Sequence, residues 1–267
     1  MLTFIGLGLY DERSVTVAGR DALRDADSAF AEFYTSRLVG TDVDALEAHH
    51  GIDIDVRDRA GVEQHPEPIL DAAADGDAVF LTAGDPMIST THVDLRLRAQ
   101  ERGIETTLIH GPTASSAASG LTGLQNYRFG KATTLPFPAA HGGDGVPDSV
   151  CETIDANRTR GLHTLVYLDI KVGETRIGDA DTDRYMTASE AAELLASQYE
   201  DTLGVAVARA GSPDPVVAAN RLSALADRDF GSPLHLLVVP GDLHHLEADA
   251  LQTFGDAPDA PVEEWTV

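Results

Sequence analysis

Asp77-Ala-Val-Phe-Leu-Thr-Ala-Gly-Asp-Pro-Met-Ile-Ser-Thr-Thr-His92 is the stretch that decides how this chain folds. It opens on an apolar run from Ala78 to Leu81, whose length and β-rich residues suit a strand buried on both faces. The run stops at Ala83-Gly84-Asp85-Pro86. Gly84 permits a tight backbone and the close approach of a ligand. Pro86 fixes φ, and Asp85 before it can cap a following helix. Val93 and Leu97 stand four apart beyond the loop, and Gly103 is a stop. The stretch therefore reads strand, sharp loop, helix. Ligands of open α/β sheets bind just outside the carboxyl ends of strands, so the loop is a candidate ligand floor. An ordinary βα turn fits the same residues.

Outward from this stretch the alternation repeats. Residues 2–7 read as a first strand ending in Gly6-Leu-Gly8, and Ala18, Ala22 and Ala26, at spacing four, give residues 14–25 helical character. Strands are expected over 28–34, 52–56 and 105–110, and helices over 43–50 and 66–74. This order implies βαβ units and a mostly parallel sheet. Gly111-Pro112 breaks the pattern, and the small residues Thr113-Ala-Ser-Ser-Ala-Ala-Ser-Gly120 suit a helix packed closely on a neighbour or a ligand. A hinge is expected here, dividing the chain into α/β domains over 1–111 and 112–267. In the second, strands are expected over 131–137, 162–170, 203–209 and 234–239, and helices over 149–160 and 242–253. Thr187-Ala-Ser-Glu190 has the form of a capping box ahead of a helix bearing Ala191, Leu194, Leu195 and Tyr199. Residues 139–147 and 173–183 read as loops, and the acidic, proline-containing residues 255–267 are assigned no element.

Composition narrows the function classes. At 267 residues and 43% hydrophobic, the chain can bury a sizeable core in one large domain or two smaller ones. There are 44 Asp plus Glu against 19 Lys plus Arg, a net charge of −25, and only Lys131 and Lys171 are lysines. A surface this acidic repels bare nucleic acid and anionic membranes, so neither is expected as a partner. Dispersed acid with scarce lysine points to a salt-rich cytoplasm, where a Debye length of about 3 Å at molar salt screens the repulsion. Cys151 is the only cysteine, which excludes an internal disulfide and a CxxC metal site and fits a reducing cytosol. No metal is expected. Nothing resembles a signal peptide or an apolar stretch long enough to span a membrane, so a cytoplasmic protein is expected.

The familiar motifs fail one by one. Gly6-x-Gly8 lacks the third glycine of a dinucleotide fingerprint, because position 11 is Asp11. Gly123 to Lys131 imitates a phosphate loop, but six residues separate its glycines instead of four, and Ala132 stands where Ser or Thr would hold magnesium. His49-His50 and His244-His245 are adjacent pairs, which point different ways on a helix and make no metal site alone. No Gly-x-Ser-x-Gly elbow occurs. Asp169-Ile-Lys171 is either a functional pair at a strand end or a plain surface pair. Gly8, Gly84, Gly111 and Gly211 lie at strand ends in both halves, leaving room for a ligand of moderate size held largely by backbone.

Eight segments, in register along almost the whole chain, resemble the diphthine synthases. They are Phe4-Ile-Gly-Leu-Gly-Leu-Tyr-Asp-Glu-Arg13, Phe30-Ala-Glu-Phe-Tyr-Thr-Ser36, Leu81-Thr-Ala-Gly-Asp-Pro86, Ser89-Thr-Thr-His92, Gly161-Leu-His-Thr-Leu165, Leu168-Asp-Ile-Lys171, Ala208-Arg-Ala-Gly-Ser212 and Val239-Pro-Gly-Asp-Leu-His244. The departures fall in loops, notably 139–147 and 173–183. The resemblance, with the salt signature, implies a halophilic archaeal member. It implies two α/β domains of the tetrapyrrole-methylase type, a mixed second sheet and a homodimer. It also implies S-adenosylmethionine as methyl donor, bound in the cleft between the domains. The implied acceptor is the amino group of a 3-amino-3-carboxypropyl chain on a histidine of translation elongation factor 2, trimethylated to diphthine. Cofactor contacts carry over to Leu9, Asp85, Ile88, Thr113, Ala114, Leu168, Ala210 and His235. No catalytic residue carries over; Glu32, Tyr34, His92 and Lys171 are polar candidates for gripping the acceptor. Two other readings stay open: methylation of a tetrapyrrole ring carbon, and a non-catalytic nucleotide-binding module.

Overall fold

A computed structural model describes all residues except 141, 144 and 172–182. The chain divides into two compact units, Met1–Thr113 with Lys171–Asp183, and Ala114–Ile170 with Arg184–Val267. The loop expected over 173–183 lies outside the described residues, Asp183 excepted.

The first unit runs β1 (Leu2–Gly6), α1 (Val17–Asp25), β2 (Ser28–Glu32), α2 (Val43–His50), β3 (Ile54–Val56), α3 (Arg59–Glu63), α4 (Glu67–Asp75), β4 (Ala78–Thr82), α5 (Val93–Glu101) and β5 (Thr106–Ile109). Its sheet has the order β3-β2-β4-β1-β5 and is parallel throughout. Successive residues of β1 and β4 point to opposite faces, and both faces are covered. Leu2, Phe4 and Phe80 pack on one side with Ile69 and Leu95, while Ile5, Leu81 and Ala31 pack on the other with Leu23 and Leu46. Phe4 and Phe80 are register partners and meet edge to face at 5.8 Å. Local signals set the helix ends. Asp42 accepts the Ala45 N–H at 2.8 Å to start α2, and Gly51, at φ 77°, ends it.

The rest of the chain runs α6 (Ala114–Thr122), β6 (Thr133–Leu135), α7 (Asp148–Arg158), β7 (Thr164–Leu168), the two-residue strands β8 (Ile170–Lys171) and β9 (Arg184–Tyr185), α8 (Ala188–Ala196), β10 (Leu203–Ala208), β11 (Val216–Arg221), α9 (Leu222–Ala226), β12 (His235–Val239), α10 (His245–Gly255) and α11 (Asp259–Trp265). The second unit's five-stranded sheet has the order β11-β10-β12-β7-β6, with only β6 and β7 parallel. The chain is thus α/β, with a parallel five-stranded sheet in the first unit and a mixed one in the second, and β8 pairs with β9. The Thr187–Glu190 capping box forms in full ahead of α8. Residues 255–267, left without an element by the sequence, contain α11; Pro258 starts it, and Pro261 and Val262 are buried.

One buried polar network clamps the second unit. Glu247, fully buried on α10, accepts from the Gln125 N–H at 2.8 Å and from His163 Nε2 at 3.0 Å through one oxygen. Through the other it accepts from the His244 N–H at 2.9 Å and Arg128 Nη1 at 3.1 Å. His163 in turn accepts the Gly241 N–H on Nδ1 at 3.1 Å. Burial alone would raise the Glu247 carboxyl, but the bonds from His163 and the two amides outweigh it and hold the pKa at about 2. Among the described residues no helix is long and apolar enough to cross a membrane.

Candidate functional site

Because the first sheet is parallel, β1, β4 and β5 deliver their carboxyl ends to one edge. Three glycines meet there. A Cβ on Gly6 would lie 2.5 Å from the Gly84 carbonyl oxygen and 2.6 Å from the Gly111 nitrogen, closer than side-chain atoms tolerate. Gly8 and Gly84 exchange backbone hydrogen bonds, at 3.2 and 2.7 Å. Gly84 holds φ +77° with open space where a side chain would stand, so the loop offers a floor of bare backbone.

Asp85 organises that floor. Its carboxylate is 4% exposed and accepts from the Met87 N–H at 2.9 Å, from the Gly111 N–H at 3.4 Å and from His110 Nδ1 at 2.6 Å. His110, just past β5, has a side chain 68% exposed. Leu9 and Thr113 are half-buried beyond β1 and β5, and Ile88 is exposed in the Asp85 loop. The first unit thus brings Leu9, Asp85, Ile88 and Thr113 to the carboxyl edge of one sheet.

The second unit gathers its own set. β7 and β10 both run antiparallel to β12, so the carboxyl ends of β7 and β10 and the start of β12 share one edge. Leu168 ends β7, Ala210 lies just past β10, and His235 opens β12 opposite Ala208. Ala114 opens α6. His235 is 4% exposed, accepts the Ala188 N–H on Nδ1 at 3.0 Å and donates from Nε2 to the Ser232 carbonyl at 3.0 Å. Both ring nitrogens are committed, and burial pushes its pKa below the ordinary value. A ligand beside His235 would meet backbone or the ring's carbon edge.

The family model of Tetrapyrrole (Corrin/Porphyrin) Methylases matches residues 1–226. A diphthine synthase of Halobacterium salinarum is 75% identical over 259 residues, 97% of this chain and 98% of that protein. One of Halorubrum lacusprofundi is 73% identical over 265 residues, 99% of this chain and all of that protein. A crystal structure of diphthine synthase superposes with a TM-score of 0.87 at 36% identity, covering 98% of each chain. The chain belongs to the tetrapyrrole methylase family, among its diphthine synthases. It is an S-adenosylmethionine-dependent methyltransferase, and its near relatives come from halophilic archaea.

A methylase of this kind needs few reactive side chains, and the polar candidates sort accordingly. Glu32 and His92, 0% and 1% exposed, face each other at 3.4 Å inside the first unit, too deep to grip an acceptor at the surface. His92 Nδ1 donates to the Pro86 carbonyl at 3.1 Å, so Nε2 presents a lone pair to Glu32. Burial pushes the Glu32 carboxyl above its ordinary value and the His92 imidazole down to about 4, so His92 is buried as a neutral ring near neutral pH. His92 thus stands between the end of β2 and the Asp85–Pro86 loop, bonded to the loop. Tyr34 has its hydroxyl buried without a hydrogen-bond partner among the described residues, while the Arg59 guanidinium lies 4.7 Å from its ring centroid. Lys171 lies in β8 with an interaction of its own. No sequence motif singles out His110. Its one cue is position, since it is the last residue before Gly111-Pro112 at a strand end.

Proposed function

We propose that the chain trimethylates the amino group of the 3-amino-3-carboxypropyl-histidine of translation elongation factor 2 to give diphthine, a step of diphthamide biosynthesis. It works in the cytosol, as a homodimer. What supports this reading is the 75% identity, over 97% of the chain, to a protein named diphthine synthase. S-adenosylmethionine supplies a methyl group already activated by a sulfonium. The first unit's residues fit such a ligand, because the open space above Gly84 faces bare backbone. Leu9, Asp85, Ile88 and Thr113 would hold it from the first unit, and Ala114, Leu168, Ala210 and His235 from the second. Asp85 already accepts three hydrogen bonds and both His235 ring nitrogens are bonded, which supports a holding done largely by backbone groups. The chain's remaining tasks are to align the acceptor nitrogen and to exclude water.

Incubation of the factor bearing the aminocarboxypropyl group with labelled S-adenosylmethionine, in molar potassium chloride, is expected to place methyl label on that one histidine. The unmodified factor, lacking the amine, is expected to take none. Label on the unmodified factor, or on a corrin or porphyrin macrocycle in its place, would overturn the assignment.

A further inference from the structure

We propose that His110, held by Asp85, is the base that takes a proton from the acceptor amine before each methyl transfer. The inference rests on the methyl-transfer reading above. An amine of the amino-acid kind is mostly protonated near neutral pH and then has no lone pair with which to attack. Every turn must therefore release one proton. His110 Nε2 accepts an N–H proton from the ammonium, and the freed lone pair forms the new N–C bond. The C–S bond breaks with its electrons left on sulfur, and His110 passes the proton to water. Over three turns an NH3⁺ group becomes a trimethylammonium, three protons depart and no N–H remains.

The geometry of the pair suits that task. A carboxylate can only accept, so the 2.6 Å contact places the proton of neutral His110 on Nδ1 and the lone pair on Nε2. Asp85 cannot swing away, since the Met87 and Gly111 amides hold the same carboxylate at 2.9 and 3.4 Å. Among the described residues Nε2 has no protein partner, and the ring is 68% exposed, open to an incoming side chain. A buried acid orienting an exposed imidazole is the arrangement by which other enzymes fix the tautomer of a general base. Asp85 is then a positioning residue as well as part of the loop floor. The pairing also connects β4 to β5 at the edge where Leu9, Ile88 and Thr113 gather.

The test compares the wild type with His110→Ala and His110→Gln, both at an exposed position and each checked for folding by circular dichroism. Loss of a general base is expected to lower kcat roughly 10²-fold or more with KM for the factor little changed. Added imidazole should restore activity to His110→Ala, which a merely structural role would not permit. An independent readout needs no turnover. Nitrogen-15 spectra of histidine-labelled protein, with His110 assigned from the variant, should show the proton on Nδ1 in the neutral ring. Asp85→Asn should abolish that preference. A wild type that transfers methyl beside an equally active His110→Ala, or a ring carrying its proton on Nε2, would overturn the inference and leave the assigned reaction standing. A wild type without transfer would remove the reaction and the inference together.

Discussion

Replacing Glu247 by alanine is expected to remove about 3–5 kcal/mol of stability, the usual cost of breaking a buried charge network by deleting one partner. The carboxylate is fully buried and takes four hydrogen bonds, two from backbone amides and two from His163 and Arg128. Alanine leaves all four donors without an acceptor inside the unit. The network joins the start of α10 to the segment after α6 and, through His163, to Gly241 past β12, so its loss loosens several elements together. Equilibrium unfolding by denaturant in molar salt measures the effect, and a loss below about 1 kcal/mol would mean that water replaces the carboxylate. The wild type should show a matching acid response. The folded pKa, about 2, is below the ordinary 4.5, so this group's contribution is complete above pH 4.5 and falls away as the pH drops toward 2. Glu247→Ala should lack that part of the acid sensitivity.

Salt is expected to act on the whole molecule. With a net charge of −25, self-repulsion in dilute buffer reaches across much of the surface, because the Debye length grows from about 3 Å in 1 M salt to about 30 Å in 0.01 M. Melting is expected to fall by more than about 10 °C between those two conditions, equivalent to roughly 3–5 kcal/mol for a chain of this length. Thermal melts in potassium chloride at both concentrations check it. Equal melting temperatures would show that the acids are tolerated without salt and that the composition is no adaptation.

Elements with their own start and stop residues were legible in the sequence. α2 was expected over 43–50 and occupies those residues, since Asp42 and Gly51 mark its ends in the side chain and in φ. The capping box ahead of α8 was equally plain. The elements that escaped are short or lack such marks. β11 alternates weakly through Val216-Val-Ala-Ala-Asn-Arg221 and owes its place to pairing with β10. α3 and α9 span five residues each, too few to display a helical period. In α11 the prolines read as breakers, yet they sit at its start, where a helix tolerates them. The candidate site was half legible. Gly84 and Asp85 stood out as a loop at a strand end, but no local pattern links Asp85 to His110, 25 residues away. Their meeting depends on β4 and β5 flanking β1, a long-range fact of topology.

That topology also sets an order of events on the ribosome. β1 emerges before the other strands of its sheet, yet its two neighbours are β4 and β5, made from residues 78–82 and 106–109. Until residue 109 has left the exit tunnel, a strand destined for the middle of the sheet has at least one bare edge, and apolar residues that will be fully buried are exposed to other nascent chains. A product truncated before that point would therefore carry its most adhesive segment uncovered, whereas one stopped soon after could close the first sheet before most of the second unit exists.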